Sequence, residues 1–147
     1  MIEIRFLKPG DEIWIHRIAK AFRHDEIDDE KAKDILSRGT VLVGAAMDED
    51  KICGYALAYL LPRLDSGHDV LYFYHLFVLD EYQNQGIGTK LVQMLIDYAN
   101  EHQLHYFYLI TQHDNEKACR LYEKLGGERH PKNDTTYYWY VTGKPKV

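Results

Sequence analysis

The residues best suited to chemistry lie in one turn, Gln83-Asn84-Gln85-Gly86-Ile87-Gly88-Thr89. It joins an apolar run, VLYFYHLFVL over 70–79, to a helical pattern. A plain turn would need one glycine and no particular order of polar residues. A helix start exposes unpaired N–H groups and the positive end of the helix dipole, so it attracts anions. Gly86 and Gly88 remove Cβ atoms from that approach and tolerate positive φ. Gln83, Asn84 and Gln85 add neutral donors around the same point. The chemistry this implies is a phosphate or pyrophosphate cradle, with simple strand–helix packing as the alternative. The dinucleotide fingerprint GxGxxG fails, because Leu91 holds the third glycine position. The Walker pattern fails too: Gln83 stands five residues before Gly88, and Thr89 follows where lysine is required.

Such a turn needs a strand before it and a helix behind it, and the chain supplies both. Val70 to Leu79 is apolar on both faces, as a central strand of a covered sheet should be. Ile87, Leu91, Leu95 and Tyr98, widened by Val92, Ile96 and Ala99, form one broad apolar stripe, predicting a helix from Gly86 to His102. Earlier, Ile2 to Leu7 alternates as a half-buried strand, and Ile13, Trp14, Ile18, Ala21 and Phe22 recur at helical spacing. Asp28 or Asp29 caps a second helix that Gly39 stops. Thr40–Ala46 and Ile52–Leu61 read as a hairpin. After the long helix, Tyr106–Thr111 reads as a strand and Asn115–Leu125 as a helix closed by Gly126-Gly127. Thr136–Val141 reads as a last strand, paired with a short one near Glu128. The order β-α-α-β-β-β-α-β-α-β-β predicts a mixed α/β sheet with helices on both faces.

The totals agree with one domain spanning 1–147. With 147 residues and 46% hydrophobic content there is enough for one sizeable core and not for two. No linker, repeat or low-complexity stretch interrupts it. The N-terminus lacks a basic region followed by an apolar run, and no run approaches the ~20 residues that span a bilayer, so a cytoplasmic protein with no membrane partner is expected. A net charge of -5 argues against nucleic acid as a partner, since phosphate binding wants a basic face. Cys53 and Cys119 belong to no CxxC pair and read as unpaired thiols. His102 and His105 show no metal spacing, and no HExxH or GxSxG pattern exists, so no metal is expected.

The pattern [Gln/Arg]-x-x-Gly-x-[Gly/Ala], read as Gln83 to Gly88, resembles the acetyl-CoA pyrophosphate loop of the GNAT superfamily of N-acetyltransferases. The preceding LFVLDEY matches that family's apolar strand, turn and aromatic, with Asp80 where many members have proline and Gln83 where many have arginine. "DNEKACRLYEKLGG", 114–127, resembles the family segment N-x-x-A-x-x-L-Y-x-x-x-G through Asn115, Ala118, Leu121, Tyr122 and Gly126. The resemblance implies the GNAT fold, a mostly antiparallel sheet of six to seven strands flanked by about four helices. It implies acetyl-CoA as the acetyl donor, with Phe77, Val78 and Leu79 orienting the pantetheine, Asn115 and Ala118 beside it, and Tyr122 protonating the departing thiolate. A tyrosine suits that role, because with an unperturbed pKa near ~10 it holds its proton at neutral pH. A core aromatic is the plain alternative for Tyr122.

The stretch from Gly54 to Val78 is similar to aminoglycoside 3-N-acetyltransferases, which implies a small cationic amine as acceptor. His75 stands where that subfamily has aspartate, and Tyr72 where many members of the superfamily hold a glutamate three positions earlier. An imidazole whose pKa of ~6.5 is lowered by burial would be neutral and able to take the amine's proton. A core histidine bonded to a tyrosine or a carbonyl is the alternative. The segment containing Asp25, Glu26, Asp28 and Asp29 borders the acceptor cleft in such folds and would attract a polycation; a solvated, helix-capping run is the alternative. A polyamine, another small amine or a protein N-terminus or lysine remain open as acceptors, as does a CoA-binding protein without catalysis. Homodimers occur in this superfamily, and a homodimer is open here.

Overall fold

The computed structural model describes residues 1–23, 26–130 and 135–142. β1 (Ile2–Phe6) leads into α1 (Glu12–Ile18), which runs on into a π-helical turn, Ala19–Arg23. α2 (Asp29–Ser37) follows, capped by Asp28, whose Oδ1 accepts from the Lys31 N–H at 2.8 Å. Then come β2 (Val41–Asp48), β3 (Lys51–Leu61) and β4 (Val70–Val78), a short 3-10 turn (Asp80–Tyr82), α3 (Ile87–Glu101), β5 (Tyr106–Leu109) and α4 (Glu116–Lys124). The five strands form one sheet in sequence order, antiparallel except for the parallel pair β4–β5. A parallel neighbour needs a crossover, and α3 provides it.

The sheet carries an apolar cluster on each face. Leu71, Phe73, Leu91, Val92 and Leu95 belong to the one beneath α3, with Leu121 and Tyr122 of α4 packed against it. Ile15, Ile18, Ala32, Val43 and Tyr55 belong to the other, beneath α1 and α2. The buried face of α1 is therefore Ile15, Ile18 and the following Ala19, an i, i+3, i+4 stripe. Ile13, expected on that stripe, is 53% exposed.

Two features of β4 shape everything downstream. Leu57 pairs with His75, but the next residue, Ala58, pairs with Phe73, so Tyr74 is an extra residue in β4. Such a bulge shifts the alternation of side chains by one. Leu71 and Phe73 before it and Leu76 and Val78 after it all pack toward α3, while Tyr74, His75 and Phe77 lie with Tyr55 and Tyr59 on the opposite face. The β4–β5 pairing stops at Phe73 and Leu109, just before the bulge. Beyond that point the two strands part.

Three expectations need correction. The sheet has five strands among the described residues, not six to seven. β5 ends at Leu109 rather than Thr111, because β4 has turned away and offers no further ladder. Residues 135–142 and the stretch near Glu128 form no strand, and Tyr137, Trp139 and Val141 are 76%, 83% and 92% exposed. β-propensity measures packing on a half-buried pleated surface, and an aromatic run without that surface stays irregular. No described helix is long and apolar enough to cross a membrane. Cys53 is buried, Cys119 is half-buried, and neither is in a disulfide.

Candidate active site

The gap between β4 and β5 opens into a cavity of about 560 Å³. One end is the start of α3. Gly86 is the N-cap residue, at φ +80°, and no side chain caps the N–H groups behind it. Asn84 also has positive φ, +63°. Alternating left- and right-handed residues turn successive N–H groups inward, which makes an anion-binding concavity at the positive end of the helix dipole. A Cβ on Gly86 would meet nothing within 4 Å, so its space is open to a ligand. Asn84, Gly86, Ile87, Gly88 and Thr89 all line the cavity.

The loop is held from outside. Tyr82 donates its hydroxyl to Asp48 Oδ2 at 3.0 Å, and Lys51 pairs with Glu81 at 2.7 Å, so the β2–β3 hairpin fixes its approach. Gln83 faces the cavity but is already bonded: its Nε2 donates to the Val78 carbonyl at 3.0 Å and to Asp80 Oδ1 at 3.3 Å. It braces the loop against the strand end. Its Oε1 accepts from Lys117 Nζ at 3.3 Å, which brings an ammonium from α4 to the loop. Sequence reasoning missed Lys117, and no local signal marks it. Gln85 lies outside the cavity, its Nε2 donating to the Glu81 carbonyl at 3.3 Å.

Phe77 and Val78 line the gap, and Leu79 does not. The Leu79 N–H donates to the Cys53 carbonyl of β3 at 2.9 Å. Because ladder bonds alternate in direction, the Val78 N–H then faces away from β3 and into the gap, as its carbonyl does. Gly54 permits the close approach here: a Cβ on it would sit 2.9 Å from the Phe77 carbonyl oxygen. Asn115 is the N-cap of α4 and spends its Oδ1 on the Ala118 N–H at 3.2 Å, and both residues line the cavity.

Tyr122 and His75 both line this cavity, from opposite faces of the sheet. Tyr122 packs edge-on against Phe73 at 6.1 Å, on the α3 side. Burial, with a smaller contribution from Cys119, raises its pKa, so the phenol is protonated at neutral pH. His75 lies on the α1 side, its Nδ1 3.3 Å from the Tyr55 hydroxyl. Burial lowers its pKa below the usual 6.5, and the positive charge of Arg23 lowers it further. Burial pushes the Tyr55 hydroxyl up to about 12, so it stays a neutral partner.

The acidic residues lie elsewhere. Asp28 caps α2, Asp29 pairs with His16 at 2.7 Å, and Glu26 lines a separate recess of about 260 Å³ with His16, Lys20 and Ile27. Asp25 is outside the described residues.

A sheet split beside a helix start, with a Gly-x-Gly loop at its mouth, defines a class, and comparison with known proteins agrees. Residues 7–127 match the acetyltransferase (GNAT) family, and the chain belongs to it. A thialysine N-epsilon-acetyltransferase of Mus musculus is 32% identical over 77 residues, covering 52% of this chain and 45% of that protein. A D-amino-acid N-acetyltransferase of Saccharomyces cerevisiae is 28% identical over 134 residues, covering 84% of this chain and 83% of that protein. The chain spans about half the length of several curated relatives it matches. Among solved structures, an aminoglycoside acetyltransferase from an uncultured soil metagenomic sample, in complex with sisomicin, has a TM-score of 0.84 at 21% identity, covering 95% of this chain and 96% of that one. At that identity the likeness is one of fold.

Proposed function

We propose that this chain transfers the acetyl group of acetyl-CoA to a primary amine of a small molecule, by direct attack within a ternary complex. The observation that carries this reading is the single cavity reaching from the α3 start, through the β4–β5 gap, to Tyr122 on one face and His75 on the other. Acetyl-CoA supplies an acetyl group already activated as a thioester. The α3 start and Lys117 hold its diphosphate, and the Val78 N–H orients the chain that leads to the sulfur. His75 takes one proton from the acceptor ammonium, freeing the nitrogen lone pair to form the C–N bond as the C–S bond breaks. Tyr122 gives its proton to the departing sulfur, and the second proton that the nitrogen sheds as the amide forms restores the phenol, so the products are an amide and a thiol, with one proton released through His75. Base chemistry at His75 Nε2 requires the tautomer in which Nδ1–H donates to the Tyr55 oxygen.

An aminoglycoside, acetylated at its 3-amino group, is the acceptor suggested by the Gly54–Val78 resemblance and by the sisomicin in one structural neighbour. Relatives named for a thialysine and for D-amino acids point instead to amino-acid-like amines. The test is thermal shift with acetyl-CoA, followed by thiol release across aminoglycoside, polyamine, amino-acid and peptide amines. Tyr122→Phe should bind acetyl-CoA normally and lose about 100-fold or more in kcat. Full turnover in that variant sinks the acid assignment, and binding without turnover on any amine favours a non-catalytic CoA-binding protein.

A further inference from the structure

The charges around the acceptor side of the cavity restrict what can bind there. None of the described residues lining the cavity is a carboxylate; the lining groups that carry or can gain a positive charge are Lys117, at the loop end, and His75. The described acidic residues that would draw in a polycation, Glu26, Asp28 and Asp29, are engaged with the separate recess, with α2 and with His16. A cation stands beside the lining residue Phe77 instead. Arg23, at the end of the π-helical turn, has its guanidinium carbon 5.9 Å from the centre of the Phe77 ring. Phe77 in turn lies 5.5 Å from the His75 ring and 6.1 Å from Phe22. Arg23 is exposed and makes no ion pair among the described residues. Its field reaches both His75 and Tyr55, and no carboxylate among the described residues acts on either.

We propose that the acceptor is a carboxylate-bearing amine, an amino acid or a close derivative, whose carboxylate is held by Arg23 while its amine lies at His75 and its body rests on Phe77. This rests on the acetyl-transfer reading for the role of His75. The chemistry is complementary in each part. A guanidinium offers a planar fork of donors that matches a carboxylate with two parallel hydrogen bonds. Phe22 and Phe77 offer an apolar surface for the carbon skeleton. A polycation would meet Arg23 as a like charge with no carboxylate on the described cavity wall to offset it.

Pairs of amines that differ only in the carboxylate test this: L-phenylalanine against 2-phenylethylamine, and L-lysine against 1,5-diaminopentane, with sisomicin as the polycation. With acetyl-CoA saturating, thiol release should favour the carboxylated member by roughly 10-fold or more in kcat/KM, mainly through KM. Arg23→Gln should erase that preference while acetyl-CoA still raises the melting temperature, and Arg23→Lys should restore part of it. Faster release with the decarboxylated amines or with sisomicin overturns the inference and leaves the transfer reading standing. A preference that survives Arg23→Gln overturns it too. If no amine releases thiol, calorimetry on the CoA-loaded protein decides. Tighter binding of the carboxylated members then supports the inference while the transfer reading falls; equal, weaker or absent binding overturns both.

Discussion

His75 shows how one residue's surroundings choose its chemistry. Its neighbours are Tyr55 from β3, Tyr74 and Phe77 from β4, and Arg23 from the π-helical turn. Burial and the guanidinium both disfavour the imidazolium, so the folded pKa falls below 6.5 and the neutral form prevails at pH 7. The sign follows directly. Activity is full above that lowered value and declines as the pH falls through it. In a pH profile of kcat/KM the acid limb should therefore lie below pH 6.5, and it should vanish in His75→Ala, whose residual rate is low throughout. An unchanged acid limb in that variant makes another group or water the base. His75 could be nominated as a lone imidazole in an apolar strand, whereas Tyr122 needed the resemblance of its segment to a family motif, since by itself it reads as a core aromatic. Their placement on opposite faces was not legible, since it depends on the register of β4 against β3.

At the scale of elements, the loop before α3 is a joint product of several parts of the chain. Its glycines and helix start were readable from a few consecutive residues, because anion binding there is a property of the helix end itself. The substitution of Gln83 for a family arginine suggested a cradle short of one positive charge. The structure supplies that charge from α4: Lys117 reaches Gln83 across 34 positions of sequence. No periodicity encodes such a contact. Lys117→Gln should weaken acetyl-CoA binding by roughly 3–10-fold, a modest effect because the ammonium is exposed, and should flatten its salt dependence. Titration calorimetry at two ionic strengths measures both, and an unchanged affinity would mean that Lys117 does not touch the phosphates. The last expected strand failed for a reason of the same kind. An aromatic, β-prone sequence favours a strand, but pairing makes one, and the stretch near Glu128 does not provide it.

In the whole molecule, two apolar clusters clamp one sheet, and the ligand cavity lies where the clamp on β4 and β5 is released. The sequence pattern showed the helices and the first four strands well, because apolar stripes or continuous apolar runs mark them. Leu91 links core and site: it is fully buried in the α3 cluster, on the helix whose first turn forms the cradle. Leu91→Ala should destabilise the fold by about 2–5 kcal/mol, read as a lower denaturation midpoint. Saturating acetyl-CoA should recover part of that loss, because a ligand of the native state stabilises by mass action. No loss of stability would show that α3 is held by other contacts.

The extra residue in β4 gives the strand two phases, one before Tyr74 and another after it. Everything from His75 to Val78 is addressed by counting from that slip. The identity of Tyr74 should matter little, since its side chain is 51% exposed. Its presence does not set the faces either: Phe73 points toward α3 while Tyr74 and His75 both point away, so a chain without Tyr74 alternates regularly, with His75 still opposite Leu57 and with Leu76 and Val78 still under α3. What the extra residue changes is the run of the backbone, which bends at the bulge where β4 leaves β5. Tyr74→Ala should therefore keep most activity, and deleting Tyr74 should lower it by straightening the strand beside the gap, a contrast that thiol release can read. Here one residue beyond the count makes room between two strands.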